Sequence, residues 1–325
     1  MRAKQFSSNK YVALIGDPNK LRRTHSQYIQ IMKSLQLDEE LKTIHAEYID
    51  KYFPNFNAPT IKADDFEILS TIRYDPSLSK HPPTTYNEIS ALNIFLLSEH
   101  VARLQYTFKF FHHLYKTPFD SEVTEEYLLA QIVESLEQSG KSVDKPYKIR
   151  GLFQLDGSSK LEIHETTKRK NLLSGLDSDL HGNNTVAQAS NNLGTKSGEW
   201  DVYINTKSTP ISPFTSFKTT KRDVYSEARK VLPGLKPGQE EVLLFNSQKQ
   251  LMEGSITNVA IKRKSDDKWV TPLLSSGCLC GVARHFLLCR NYIEEDIIPI
   301  KDISIGDEVL LFNGIMGVLR GKIVG

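Results

Sequence analysis

The sequence predicts an α plus β protein, two domains of mixed sheet and helix preceded by a helical N-terminal extension. Three observations predict it. At 325 residues the chain exceeds one ordinary core and suits two domains, or one with an extension. Apolar residues recur at helical spacing in several stretches before residue 140. From Lys148 onward the period shortens, and short apolar runs bounded by Gly, Asn, Asp and Ser alternate with helical stretches. The expected divisions are an extension over 1–60, a smaller α/β domain over 61–147 and a larger domain over 148–325, with a flexible insert at 165–200.

Within the extension, Tyr28, Ile31, Met32, Leu35, Leu41, Ile44 and Tyr48 predict a helix over 24–50, broken by the Pro54 to Pro59 stretch. Glu67 to Tyr74 reads as a strand closed by Asp75-Pro76. A helix is expected from near Asn87 to Tyr115, turning Leu92, Phe95, Leu104, Phe108 and Phe111 inward. Another spans about Glu122 to Glu137, with Val123, Tyr127, Ala130 and Val133 on one stripe and Gly140 past its end. Ile149 to Leu155 and Lys160 to Ile163 form a hairpin around Asp156-Gly157-Ser158-Ser159. Residues 172–200, rich in Ser, Asn and Gly, read as a flexible excursion. Strands follow at 200–204, 241–245, 258–261 and 308–312, with helices near 223–231 and 281–291. There is no internal repeat.

Composition excludes several classes of function. A net charge of +2 argues against nucleic-acid steering and against a membrane-surface role. No apolar run, Ile94 to Leu97 among them, approaches the roughly 20 residues of a spanning helix. Three cysteines argue against a disulfide framework and for a reducing compartment, so a cytoplasmic protein is expected. The basic excess over residues 1–23 keeps an organellar presequence as the alternative.

Two residues carry the first hint of chemistry. Lys218, in Phe214-Thr-Ser-Phe-Lys218-Thr-Thr, sits at a junction between a strand-like stretch and a helix start. Partial desolvation there would lower its pKa and yield an amine able to attack an aldehyde. A solvated surface lysine is the plain alternative. Glu253, in Leu251-Met-Glu253-Gly-Ser-Ile-Thr-Asn258, ends an apolar strand, which is costly unless something pairs with it. A protonated pyridine nitrogen is such a partner; backbone N–H groups in a turn are another. A lysine and a carboxylate of this kind are the two protein groups that pyridoxal-phosphate chemistry needs.

Other stretches could bind an anion. Gly277-Cys-Leu-Cys-Gly281-Val282-Ala283-Arg284-His285 leads into a helix whose first N–H groups can hold phosphate. Asn313-Gly314 makes a second small-residue turn at a strand end. His100 and Arg103 share one helix face, and Arg103 could clamp a phosphate or remain a solvated charge. Cys278, Cys280, His285 and Cys289 lack the spacing of a zinc site, so no metal is expected and buried thiols are the better reading.

Together these motifs resemble the fold-type IV pyridoxal-phosphate family, which includes branched-chain and D-amino-acid aminotransferases and aminodeoxychorismate lyases. The resemblance rests on His100-x-x-Arg103-Leu104, Lys218-x-x-x-Arg222, Glu253-Gly-Ser-x-x-Asn258, Gly281-Val-Ala-Arg284 and Asn313-Gly314, in order and at similar spacing. It is closest to the fungal aminodeoxychorismate lyases, dense over 200–325, patchy over 66–111 and absent from 1–60 and 165–200. It implies a two-domain fold like that of D-amino-acid aminotransferase, with pyridoxal 5'-phosphate as cofactor in the larger domain. Lys218 would hold the cofactor and act as base, Glu253 would face the pyridine nitrogen, and Arg103 would bind the phosphate. The N–H groups of Val282 and Ala283 and the Asn313-Gly314 turn would complete that phosphate site. The implied reaction converts 4-amino-4-deoxychorismate to 4-aminobenzoate and pyruvate, a step toward folate; aminotransfer by the same fold is the alternative.

Two departures stand out. Ala283 lacks the hydroxyl of the threonine found in aminotransferase members, and Asp223 stands where those members have a tyrosine, with Tyr225 a poor substitute by spacing. The small-molecule substrate carries two carboxylates, for which Arg73 and Arg150 are the expected partners. Family members commonly form homodimers.

Overall fold

The computed structural model describes residues 61–117, 123–176 and 199–325, all within one compact unit spanning Asn55–Gly325. The expected helix at 24–50 lies outside the described residues, as does most of the 165–200 insert. Two sheets organise what is described.

The first sheet has three antiparallel strands in the order β1–β2–β3. Strand β1 (Ile68–Tyr74) is buried at every position but Thr71, so it takes contacts on both faces. It pairs with β2 (Tyr147–Phe153) from Ile68↔Phe153 to Tyr74↔Tyr147. β2 returns through the predicted hairpin into β3 (Ser159–Glu165), with Gly157 at φ 89 supplying the left-handed turn residue.

Helix α1 (Leu97–Tyr115) lies against β1 and buries Leu97, Val101, Leu104, Phe108 and Phe111 at helical spacing. It begins ten residues later than the periodicity predicts. Asn93 O accepts from Asp75 N at 2.8 Å, and Phe95 N donates to Arg73 O at 2.9 Å. Residues 93–95 are therefore held as an extension of the β1 edge, and Leu92 stays exposed. Leu96 then turns into the left-handed region at φ 57 and starts the helix. Helix α2 (Glu125–Gln138) is capped by Thr124, whose hydroxyl accepts from Tyr127 N. It buries Leu128, Ile132 and Leu136 instead of the expected stripe, and Tyr127 is exposed. The larger aliphatic set spaced by four won the inner face.

The second sheet has eight strands in the order β6–β5–β4–β11–β10–β7–β8–β9. These are β4 (Trp200–Ile204), β5 (Glu240–Phe245), β6 (Leu251–Gly254), β7 (Asn258–Lys262), β8 (Trp269–Pro272), β9 (Glu294–Asp296), β10 (Glu308–Asn313) and β11 (Gly317–Ile323). It is mixed: β4 runs parallel to β5 and β11, and β8 to β9, while the other pairs are antiparallel. Both faces are covered. Along β10, Val309 and Leu311 join one core with Val202, Leu243 and Val259. Leu310 and Phe312 join another with Ala260, Val318 and Leu287. That alternation is the period of two a strand imposes. Between strands lie a single turn α3 (Pro213–Ser216), α4 (Asp223–Ala228) and α5 (Val282–Cys289).

The described part of the Ser-rich insert is packed. Leu172 and Leu176 are buried, and Leu172 O accepts from Val318 N at 2.7 Å, which ties the segment to the start of β11. Among the described residues no helix is long and apolar enough to cross a membrane.

Candidate active site

Lys218 is held by the first sheet although it belongs to the chain leading into the second. Its carbonyl accepts from Leu69 N at 2.9 Å, and Thr220 N donates to Glu67 O at 2.9 Å, so residues 218–220 run beside the start of β1. The preceding aromatics anchor the segment. Phe217 stacks on Phe110 at 4.1 Å between ring centres, and Phe214 meets Phe66 edge-on at 5.1 Å. Phe217 and Thr219 are buried on either side of a half-buried Lys218, so extended backbone sends the amine the opposite way from its neighbours. Burial pushes the Lys218 pKa well below the usual lysine range, helped by the guanidinium groups of Arg222 and Arg103 and opposed by Glu253. The arrangement favours the neutral amine.

Glu253 lies on β6, 3 % exposed. Its carboxylate accepts from Tyr225 Oη at 2.7 Å and from Asn258 Nδ2 at 3.2 Å. Burial raises its pKa to about 7, against the lowering effect of Tyr225, the Leu279 backbone, Lys218 and Arg222. This is a carboxylate short of compensating charge, as an acid ending an apolar strand should be. Asn258 also donates to Leu279 O at 2.9 Å, linking Glu253 to the loop before α5.

The turn after Glu253 is built on a second buried acid. Glu241 of β5 is fully buried and accepts from Ser255 N (2.9 Å), Ser255 Oγ (2.5 Å), Ile256 N (3.2 Å) and Thr257 Oγ1 (2.8 Å). Gly254 is required by that closeness: a Cβ there would stand 2.7 Å from Glu241 Oε2. Arg222 donates to Ser255 O at 2.7 Å, and its guanidinium lies 4.5 Å from the Tyr225 ring centre.

A cationic end faces this pair. Arg103 on α1 donates to Ser70 Oγ at 3.2 Å, and burial lowers its pKa to about 10. Cys280, in the loop before α5, is close enough for its thiol to act electrostatically on that guanidinium. Gly281 caps α5 without any side-chain hydrogen bond, so the first-turn N–H groups, Val282 and Ala283 among them, have no side-chain cap. A methyl group added to Gly314 would lie 2.9 Å from Val282 Cγ2 and 3.0 Å from His100 Nε2. The β10–β11 turn, the α5 start and α1 therefore converge there. Asn313 uses its side chain to shape the turn, accepting from Ile315 N (2.9 Å) and Met316 N (2.8 Å) and donating to Ile256 O (3.1 Å).

Lys218, Glu253 and Arg103 thus lie within electrostatic reach of one another, the Gly314 turn meets Val282 beside His100, and Asn313 reaches the turn that follows Glu253. Arg73 and Arg150 do not join them as free cations. Arg73 has no exposed surface; it grips Asp75 through Nε (2.9 Å) and Nη2 (2.6 Å) and donates to Ile315 O and Thr167 O. Arg150 is on the β2–β3 hairpin, 39 % exposed and paired with Glu162 at 2.9 Å. The expectation that they wait for a substrate carboxylate is corrected by these partners. Arg169, just past β3, is different. It makes no hydrogen bond or ion pair among the described residues, and burial followed by the charge of Arg73 lowers its pKa.

Sequence reading set Tyr225 aside on spacing and passed over Glu241, Ser70 and Arg169. Glu241 had a signal, the same one that singled out Glu253: an acid in an apolar strand. Ser70 and Arg169 had none. Asp223, at the position of the aminotransferase tyrosine, is exposed at the start of α4.

The sequence matches the family described as Amino-transferase class IV over residues 86–324. It is 35 % identical over 257 residues to an aminodeoxychorismate lyase of Saccharomyces cerevisiae, covering 70 % of this chain and 67 % of that protein. Among solved structures it resembles a provisionally assigned amino-acid aminotransferase of Mesorhizobium loti, with TM-score 0.57 and 20 % identity over 80 % of this chain and all of that one. A provisionally assigned 4-amino-4-deoxychorismate lyase of Legionella pneumophila gives TM-score 0.51 and 15 % identity over 78 % of this chain and 81 % of that one. The last two likenesses concern the fold. With the family match spanning most of its length, the chain belongs to the class IV amino-transferase family.

Proposed function

We propose that this protein is a pyridoxal-phosphate-dependent lyase that converts 4-amino-4-deoxychorismate to 4-aminobenzoate and pyruvate in the cytoplasm, toward folate. The observation that carries the cofactor reading is the pairing of a depressed-pKa lysine with a buried carboxylate that lacks a charge partner. Pyridoxal phosphate fits that donor set: Lys218 for the aldehyde, Glu253 for the ring nitrogen, and Arg103 with the uncapped N–H groups of Val282 and Ala283 and the Asn313-Gly314 turn for the phosphate. Ala283 offers only its backbone. The yeast relative named for the lyase reaction supports the choice of substrate.

When bound, pyridoxal phosphate supplies an electron sink for the charge left when the carbon bearing the substrate amine loses its proton. Lys218 Nζ, kept neutral by its surroundings, takes that proton. Glu253, held by Tyr225 and Asn258, would face the pyridine nitrogen and favour its protonated form. The enolpyruvyl ether oxygen then leaves from the neighbouring carbon, and aromatisation of the ring drives the step. The protein's part is placement and charge. Arg169, which sequence reading passed over, makes no hydrogen bond or ion pair among the described residues and is our candidate for a substrate carboxylate. Thr167, two residues before it, is joined through Arg73 to Ile315, beside the Gly314 turn.

The test is product analysis. Purified protein given 4-amino-4-deoxychorismate should release 4-aminobenzoate and pyruvate in equal amounts without a keto-acid acceptor. Turnover of branched-chain or D-amino acids with an acceptor, and none of that product, would replace the lyase by an aminotransferase.

A further inference from the structure

Among the described residues Arg103 is not held by an acid. Its Nη2 donates to Ser70 Oγ at 3.2 Å and lies 3.5 Å from His100 Nδ1, while Ser70 Oγ and His100 Nδ1 are 2.9 Å apart. Ser70 and His100 have no exposed surface, so neither touches a ligand. A guanidinium only donates, which makes the Ser70 oxygen its acceptor and leaves the single hydroxyl proton for His100 Nδ1. Nδ1 therefore carries the lone pair, and the imidazole hydrogen sits on Nε2. Burial holds the His100 pKa well below the usual imidazole range, and the charge of Arg103 reinforces this. Its Nε2 has no partner among the described residues and faces the Gly314 turn.

We propose that Ser70 and His100 are positioning residues that aim Arg103 at the cofactor phosphate and set the protein's preference for the phosphorylated cofactor over its dephosphorylated form. The proposal rests on reading Arg103 as the phosphate ligand. Pairing Arg103 with a carboxylate would fix it equally well but would cancel the charge the phosphate needs. A neutral hydroxyl–imidazole pair holds the guanidinium and leaves its charge intact. The imidazole must stay neutral for this, since a second cation 3.5 Å from Arg103 would push it out of position.

The test compares binding of pyridoxal phosphate with binding of pyridoxal, which lacks the phosphate, to full-length protein freed of cofactor, followed by absorbance. Ser70→Ala should weaken pyridoxal phosphate about tenfold, the worth of one hydrogen bond to a charged group, and change pyridoxal less than about twofold. His100→Asn, which keeps an acceptor near Nδ1, should retain more of the preference than His100→Phe, which keeps only the bulk. The wild-type preference should stay flat from pH 7 to 8, above the second ionisation of the phosphate at about pH 6. Arg103→Lys is the control for the underlying reading. If it leaves the preference unchanged, Arg103 does not bind phosphate and that reading fails. If Arg103→Lys lowers the preference while folded Ser70→Ala and His100→Phe proteins keep it, the positioning role is overturned. Melting curves establish which variants are folded, and His100→Phe decides the matter alone should Ser70→Ala not fold.

Discussion

Replacing Glu253 by Gln should make the cofactor-free protein more stable at pH 8, although it removes a central group of the site. A carboxyl moved from 4.5 to about 7 by burial corresponds to about 3 kcal/mol of difference between its two forms. The folded chain binds that proton more tightly than the unfolded chain. The resulting stabilisation is complete below about pH 4.5 and is lost as pH rises through about 7. Glutamine has no proton to lose. Its oxygen can keep accepting from Tyr225 Oη, but its amide would meet Asn258 Nδ2 donor to donor, which costs about 1 kcal/mol. Glu253→Gln should therefore gain about 2 kcal/mol at pH 8, a rise in melting temperature of about 3 °C, and show no gain at pH 4.5. Urea unfolding of the two cofactor-free proteins at both pH values measures this. A variant less stable than wild type at pH 8, or the same difference at both values, would refute the claim that Glu253 is a carboxylate awaiting a cation.

Tyr225→Phe removes the 2.7 Å hydrogen bond to Glu253 and should raise that carboxyl's pKa further, moving the acidic limb of the pH–rate profile upward by about one unit with little change above pH 9. Glu241→Ala strands the Ile256 N–H and removes the acceptor of the Ser255 and Thr257 hydroxyls, and should cost about 3 kcal/mol or more by denaturant unfolding, with weaker cofactor binding as the turn loosens. Arg169→Gln should raise KM for the dicarboxylate substrate by about tenfold or more while leaving the bound-cofactor spectrum unchanged, so that steady-state kinetics and absorbance separate substrate from cofactor effects.

Local chemistry was legible where it broke a local rule. Glu253 stood out because an acid at the end of an apolar strand needs an explanation, and burial to 3 % with a raised pKa is that explanation in three dimensions. Lys218 was legible only through its company, since nothing in Phe-Lys-Thr-Thr announces that β1, far upstream, will run beside it. Arg73 shows the opposite failure. Strand alternation could not reveal that Asp75, two residues on, would fold back and take its guanidinium, or that Ile315 and Thr167 would take the rest. Tyr225 was set aside because its distance from Lys218 differs from that of the aminotransferase tyrosine. Its hydroxyl reaches Glu253, a contact between residues 28 apart in the chain that spacing from the lysine does not report. The late start of α1 was hidden for a similar reason: residues 93–95 have helical periodicity, but the free edge of β1 claims their backbone. Long-range pairing, not propensity, decided each of these.

The central claim is that Lys218 joins the chain to pyridoxal phosphate and moves the proton that starts the lyase reaction. Wild type and Lys218→Ala, each reconstituted with the cofactor, should be compared by absorbance and by release of 4-aminobenzoate from 4-amino-4-deoxychorismate. Wild type should show an absorbance band of lysine-bound cofactor and form product, with both lost in Lys218→Ala. An unchanged band in the variant, or product formed at the wild-type rate, would contradict it.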